Sequence, residues 1–285
     1  MREDTAVTSP PSTHRLLWLT AYVVAYVFLD WASYLYPVRP LAITPWNPPP
    51  GLSLVVLMVF GLRVWPGLLV ATFLAEVLVR EIPASPLHLL VASAILTAGY
   101  TGVAALLRRV GFDPAFRRVR DLYWMTAVTV PGVLALALFY VGYYDLAGVV
   151  RDEEFVASML RFWVGDTIGI LVTMPLLLVY GPRVARRAWA RPTREMLGQA
   201  FSVVLALWII FGLPDTDEFK FFYLLFLPLV WIASRHGIEG ATLALPAIQL
   251  GLIAALRWGG HGATTVVEFQ FLMLALAFTG LEVGS

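Results

Sequence analysis

The chain alternates apolar runs with short segments that are charged or rich in proline and glycine. A stretch of about 20 apolar residues is long enough to cross the hydrocarbon layer as a helix. We therefore expect an all-α bundle of about 8 to 10 membrane helices, formed by residues 16–283 as one domain behind a polar tail at 1–15. The pattern predicts ten helical segments: 16–36, 51–63, 66–80, 86–108, 120–142, 157–180, 198–213, 219–234, 238–257 and 264–283.

The second and third predicted helices are too short for an ordinary span. Residues 52–63 rise only about 18 Å, whereas the hydrocarbon core is about 30 Å thick. Residues 46–51, just before them, contain three prolines, which cannot donate backbone hydrogen bonds. Irregular backbone at membrane depth survives only inside protein or beside a wet cavity. We predict that residues 46–51 enter the bundle from the outer face. The alternative is a rigid surface loop followed by two tilted or partly spanning helices.

Arginine clusters set the predicted orientation, because arginines that flank membrane helices collect on the cytoplasmic side. Two loops, separated by two predicted helices, carry such clusters: Arg108, Arg109, Arg117, Arg118 and Arg120 in the first, and Arg183, Arg186, Arg187, Arg191 and Arg194 in the second. The acidic loop at 145–154 falls between them and is therefore assigned to the outside. The same alternation places both termini in the cytoplasm.

Composition supports a multi-pass membrane protein and argues against several other classes. Hydrophobic residues make up 59% of the chain and charged residues 14%, and the mean hydropathy is +0.78, values that a soluble domain would not tolerate. The net charge of +1 gives no reason to expect a nucleic-acid partner. Without cysteine there can be no disulfide or thiolate metal site, and the histidines lack ligand spacing. We expect no metal, cofactor or catalytic residue, and the lipid bilayer as a partner.

Ionisable residues inside the apolar runs are the candidates for a functional site. Asp166 lies in the apolar stretch 161–170, and a carboxylate near the middle of a bilayer costs at least a few kcal/mol unless it is paired or hydrated. Asp30, Glu76 and Glu268 also fall in the predicted outer halves of their helices. Asp30 and Glu268 fit the headgroup level, so Glu76 and Asp166 are the stronger candidates. The alternative for Asp166 is a hydrogen bond that packs two helices together.

These positions predict a cavity that opens to the outside, with Trp46, Asn47, Trp163 and either Tyr143 or Tyr144 as its walls. The predicted ligand-binding or signalling residues are Trp46, Asn47, Glu76, Arg161, Trp163 and Asp166. Because Arg161 and Asp166 lie about 140° apart around a helix, we expect them to meet different neighbours. Gly165, Gly169 and Pro175 either let this helix bend or let it pack closely against another segment.

An ordered set of motifs resembles a known family. The set comprises Trp-Asn-Pro-Pro-Pro-Gly at 46–51, Phe-Gly-Leu-Arg-Val-Trp-Pro-Gly at 60–67, Arg-Val-Gly-Phe at 109–112, Phe-Trp-Val-Gly-Asp at 162–166 with Met-Pro at 174–175, and Leu-Pro-Leu-Val-Trp-Ile-Ala-Ser-Arg-His-Gly at 227–237. Together these motifs resemble the MASE-one family of bacterial membrane-associated sensor domains, in order over residues 16–281. The Asn-Pro-Pro-Pro sequence departs from the pattern expected there, so the resemblance implies no role for Asn47.

The resemblance implies a sensory input domain in the bacterial inner (cytoplasmic) membrane. Such families are N-terminal modules of two-component histidine kinases and of enzymes that make or degrade cyclic diguanylate. A small-molecule ligand or a membrane protein partner, a homodimer, and a catalytic effector domain after residue 285 are then expected, and this chain itself is expected not to be an enzyme. The alternative is a transporter or a substrate-binding transport subunit, because carriers also use broken segments and buried carboxylates. Substrate flux into liposomes would distinguish the two.

Overall fold

The fold is taken from a computed structural model of the chain. It describes residues 12–34, 37, 40–116, 118–185, 193–213, 221–258 and 263–285, without the side chains of 12–16, 185, 257–258 and 263–268. Most of the predicted polar tail lies outside the described residues, and residues 12–15 already belong to the first helix. Arg117, Arg186, Arg187 and Arg191 also lie outside them.

The described residues form an all-α bundle, as predicted, with no strand among them. Its helices are α1 (Ser12–Ser33), α2 (Pro49–Phe60), α3 (Trp65–Ala75), α4 (Pro86–Arg109), α5 (Val119–Leu146), α6 (Phe155–Ala185), α7 (Arg194–Gly212), α8 (Phe226–Trp258) and α9 (Ala263–Gly284). A 3-10 turn, Leu62–Val64, precedes α3, and a π-helical turn, Glu76–Arg80, continues it.

Six helical stretches in the described chain are long and apolar enough to cross a membrane. One of them is Leu62–Arg80, so the interpretation of the third predicted helix as too short is wrong. The flanking 3-10 and π-helical turns supply the missing length. By contrast, α2 has 12 residues and rises about 18 Å. It remains a half-length helix.

Helix α8 is a hairpin of two arms that reverses direction at Gly237. Gly237 has φ 61° and ψ −153°, which no helix accommodates. A Cβ added at Gly280 of α9 would lie 3.0 Å from Leu229 Cδ1 and 3.1 Å from Leu245 Cδ2. In a straight helix these two leucines would be about 24 Å apart, so the arms must lie side by side. The two predicted helices at 219–234 and 238–257 thus correspond to these arms where the structure describes them.

Helix α6 runs through the centre of the bundle. Every residue from 164 to 175 is buried, and the helix packs against α2, α5, α8 and α9. Two glycines one turn apart, Gly165 and Gly169, face the segment that leads into α2. A Cβ at Gly165 would lie 2.6 Å from Thr44 O, and one at Gly169 would lie 1.7 Å from Asn47 O. These glycines therefore let an irregular segment lie directly on the helix backbone.

The segment from residue 44 to residue 50 enters the bundle, as predicted. All of its residues except the partly exposed Trp46 are buried. The backbone N–H of Asn47 donates to Gly165 O at 3.2 Å, and the Gln270 side chain of α9 donates to Pro45 O at 3.1 Å. The segment is therefore fixed to α6 on one side and to α9 on another.

The prolines explain how a helix can begin at this depth. Apolar surroundings offer no water to the free N–H groups of a helix N-terminus. In α2 the first positions are Pro49 and Pro50, which have no N–H. The next nitrogens, those of Gly51 and Leu52, both donate to Pro48 O, at 3.0 and 3.3 Å. The half-length helix thus starts without exposing donors to the hydrocarbon.

We predict that Gly169→Ala destabilises the bundle, whereas Gly181→Ala in the same helix does not. The added methyl at residue 169 would overlap the Asn47 carbonyl, while nothing lies within 4 Å of the position at Gly181. Overpacking of this kind costs about 1–3 kcal/mol, and an exposed helical Gly→Ala change gains up to about 1 kcal/mol. Unfolding of both variants in mixed micelles titrated with SDS checks this. Equal stabilities would contradict the close approach of α6 and residue 47.

Candidate functional site

An ion pair inside the bundle joins α1 to the π-helical turn after α3. Arg80 Nη2 donates to Asp30 Oδ1 at 2.8 Å and Arg80 Nε donates to Asp30 Oδ2 at 3.3 Å. The two side chains are 7% and 3% exposed. This bidentate geometry is the one in which a guanidinium and a carboxylate pair best, and it holds both side chains in one orientation. The interpretation of Asp30 as a headgroup-level residue is therefore replaced by a residue buried in the bundle and paired with Arg80.

Asn47 connects this ion pair to Asp166. Its Oδ1 accepts from Arg80 Nη2 at 3.4 Å, and its Nδ2 donates to Asp166 Oδ1 at 2.6 Å. An amide has both an acceptor and a donor end, so it can join a cation to a carboxylate. The result is a continuous chain from Asp30 through Arg80 and Asn47 to Asp166.

The second oxygen of Asp166 is held by a helix on the other side. Tyr100 of α4 donates its hydroxyl hydrogen to Asp166 Oδ2. Tyr100 is 1% exposed and Asp166 is 2% exposed, so water does not supply these hydrogen bonds. Asp166 is therefore fixed by neutral donors from two segments, the one before α2 and α4.

Glu76 forms a second carboxyl site one helical turn before Arg80. Two tyrosines one turn apart on α5 donate to it: Tyr140 to Oε1 at 2.7 Å and Tyr144 to Oε2 at 3.4 Å. Both tyrosines are completely buried. The π-helical turn thus places the Glu76 carboxyl group against α5 and the Arg80 guanidinium group against α1.

We call the eight residues Asp30, Asn47, Glu76, Arg80, Tyr100, Tyr140, Tyr144 and Asp166 the polar cluster. It contains three carboxyl groups and one arginine, so its acids are stabilised largely by tyrosine and asparagine donors. In a low-dielectric interior such a network is stable only while every member keeps its partners. Among the described residues no group of three His, Cys, Asp or Glu side chains is placed to hold a metal ion. The arrangement lets neighbouring segments exchange hydrogen-bond partners.

Three predicted site residues lie outside the polar cluster. The Trp163 indole donates to Val130 O of α5 at 2.9 Å, which is a contact between helices. The Trp46 indole nitrogen is buried and has no hydrogen-bond partner in the described part of the chain. Arg161 is partly buried and forms no hydrogen bond with any member of the polar cluster that the structure records. The recorded hydrogen bonds of Asp166 go to Asn47 and Tyr100, and the expectation that Arg161 meets different neighbours stays a prediction.

Sequence reasoning missed Arg80 and two of the tyrosines, Tyr100 and Tyr140, and raised Tyr144 only as a wall of the cavity. One signal pointed to Arg80: it follows Glu76 by four residues at the predicted outer end of a helix, where the positive-inside rule disfavours arginine. Tyr140 and Tyr144 share the same four-residue spacing on α5. No comparable signal marks Tyr100. The side chain of Glu268 lies outside the described residues.

The polar cluster is closed in this structure. A groove of about 810 Å³ lies between α4 and α5, and its walls are mostly small or apolar residues such as Gly99, Ala135 and Phe139. None of the six predicted ligand residues lines it. The outward-opening cavity at Asn47 and Asp166 therefore stays a prediction, which requires a rearrangement of the segments that cover the cluster.

Comparison with known families decides the identity of the domain. The profile of the MASE1 family matches residues 14–285, which is nearly the whole chain and includes every member of the polar cluster. The chain belongs to the MASE1 family. The resemblance drawn from the ordered motifs is thereby confirmed, and the chain has the role of a membrane sensory input domain with several helices able to cross the bilayer.

A curated relative of this MASE1 domain is the signal transduction histidine-protein kinase/phosphatase UhpB of Salmonella typhimurium. It is 26% identical over 254 residues, an alignment that covers 81% of this chain and 46% of UhpB. The MASE1 chain thus spans about half the length of the curated relative that it matches. No solved structure matches the chain.

We predict that Arg80→Gln destabilises the MASE1 domain more than the double variant Asp30→Asn/Arg80→Gln. The single change leaves the Asp30 carboxylate buried without its cation, which costs about 3–5 kcal/mol. The double change removes both charges and should recover part of that loss. SDS titration of the purified variants measures the difference.

Arg151→Gln is the control, because it breaks the exposed Arg151–Glu153 pair and should change stability by at most about 0.5 kcal/mol. A double variant as unstable as Arg80→Gln would contradict the pairing.

Proposed function

We propose that this chain is the input domain of a bacterial inner-membrane signalling protein. In this proposal a small molecule or a membrane protein partner acts on the outer half of the bundle, and the response passes to a cytoplasmic catalytic domain that follows residue 285. The polar cluster is the observation that carries the proposal. It joins α1, the π-helical turn after α3, α4, α5, α6 and the segment before α2 through residues that are at most 6% exposed.

A network of this kind suits switching because its partners can be exchanged. Buried carboxyl groups in a membrane protein must keep a donor or a counter-ion. If the segment before α2 moves, Asn47 leaves both Arg80 and Asp166, and each needs a replacement. A ligand that supplies this replacement binds the moved arrangement better than the resting one. That difference in affinity is what shifts a population between two states.

The output is proposed from the relative and the family. UhpB is named as a histidine kinase/phosphatase, and the matched part is about half of it. We therefore favour a kinase output over a cyclic-diguanylate enzyme and expect both termini to lie in the cytoplasm. A homodimer follows by analogy with such kinases, which work in pairs. Sequencing the gene beyond residue 285 identifies the output domain directly.

A transporter is the second candidate, because α2 is a half-length helix that starts inside the bundle. In carriers the N-termini of such helices bind anionic substrates through free backbone N–H groups. Here Pro49 and Pro50 have no N–H, and Gly51 donates to Pro48 O. This observation favours the sensor. Substrate accumulation in liposomes that contain the protein would reverse that preference.

We predict that Asp166→Asn changes the output of the full-length protein, whereas Asp152→Asn does not. The first change replaces a carboxyl that binds Asn47 and Tyr100, and the second affects an exposed residue in the acidic turn before α6. We expect the output to change by about 5-fold to 150-fold, which is the range that coupling free energies between two sites produce. Autophosphorylation, or cyclic-diguanylate turnover if the gene encodes that output, measures the effect in vesicles. Normal output from a folded Asp166→Asn protein would contradict the proposal.

A further inference from the structure

The hairpin turn at Gly237 lies where four helices meet. Gly237 occupies a backbone region that is essentially restricted to glycine. The last turn of α9 sits directly on it: a Cβ added at Gly284 would lie 3.0 Å from Gly237 O and 2.9 Å from Ala241 Cβ. The end of α9 therefore cannot move independently of the turn without losing this contact.

Polar contacts tie the same turn to α6 and α7. From α6, Arg183 forms an ion pair with Glu239, and the Tyr180 hydroxyl donates to Glu239 O at 3.0 Å. On the α7 side, Arg235 Nε donates to Glu195 Oε1 at 2.9 Å, and His236 Nε2 lies 3.0 Å from Gln199 Oε1. All of these residues belong to the end of the bundle that the arginine clusters assign to the cytoplasm.

Helix α6 extends from the polar cluster to this turn. Asp166 and Arg183 lie on the same unbroken helix, about 26 Å apart along its axis. The helix is continuous although it contains Pro175 and Pro182, and it is buried from residue 164 to residue 175. Its far end meets Glu239 through the Arg183 ion pair and the Tyr180 hydrogen bond.

We propose that the Gly237 turn is the joint that passes a displacement of α6 to the last turn of α9. Tyr180 and Arg183 move Glu239, and the rigid turn carries Gly284 with it. The α7 contacts through Arg235 and His236 hold the other side of the turn, so that the turn pivots and does not translate freely. This inference rests on the proposed function for its trigger at Asp166, but the joint itself is defined by the contacts of the turn.

Spin labels at Val184→Cys and Ser285→Cys test the joint. The chain contains no cysteine, so the labels report only the ends of α6 and α9, and both positions are exposed. Pulsed electron spin resonance on the chain in nanodiscs gives their distance distribution. We expect Glu239→Gln and Tyr180→Phe each to shift or broaden it by about 1–5 Å, the range of helix shifts in switching proteins. Glu153→Gln, in the acidic turn before the opposite end of α6, is the control and should leave it unchanged. An unchanged distribution in both Glu239→Gln and Tyr180→Phe would overturn the joint.

Asp166→Asn then separates the joint from the proposed function. With the turn contacts intact we expect this change to shift the distance between the labels, and with Glu239→Gln present we expect the additional shift to disappear. The same Asp166→Asn shift in both backgrounds would overturn the joint and leave the sensor proposal standing. No Asp166→Asn shift, together with a clear effect of Glu239→Gln alone, would support the joint and count against the polar cluster as its trigger.

Discussion

The structure depends on one constraint, which is that backbone polar groups inside a bilayer need partners within the protein. The segment from residue 44 to residue 50 meets it with prolines, which have no N–H, and with the Gly165 and Gln270 hydrogen bonds. The close approach that these bonds need is possible only because Gly165 and Gly169 have no side chains. The packing of α2 on α6 and the position of Asn47 both follow from this arrangement.

The polar cluster is a second consequence of the same arrangement. Once the Asn47 backbone is fixed to Gly165, its amide side chain lies between Arg80 and Asp166. Neither a carboxylate nor an ammonium group could satisfy both neighbours, because one needs an acceptor and the other a donor. The π-helical turn is a local irregularity of the kind often found at functional sites. Here that turn carries both Glu76 and Arg80.

The sequence predicts some parts of this picture better than others. Helix positions follow from length and hydropathy, and the proline-rich segment is recognisable because a short helix follows it. Asn47, Glu76 and Asp166 stand out as polar residues at membrane depth. Tyr100 and Tyr140 do not, because tyrosine is common in membrane helices and only its partner reveals its role. In the sequence, Asp30 and Arg80 each look like an ordinary charged residue near the end of a membrane helix. Their pairing across 50 positions is set by helix packing, which one sequence does not encode visibly.

The prolines also restrict how this half of the bundle can recognise a ligand. Without free N–H groups at the start of α2, recognition under the proposed function has to use side chains, and those of the polar cluster already bind each other. A ligand must therefore compete with hydrogen bonds inside the protein, not with water. Exchange of one buried hydrogen bond for another changes the energy much less than loss of one does. Two arrangements of the segment before α2 can then lie close enough in energy for a modest difference in affinity to choose between them.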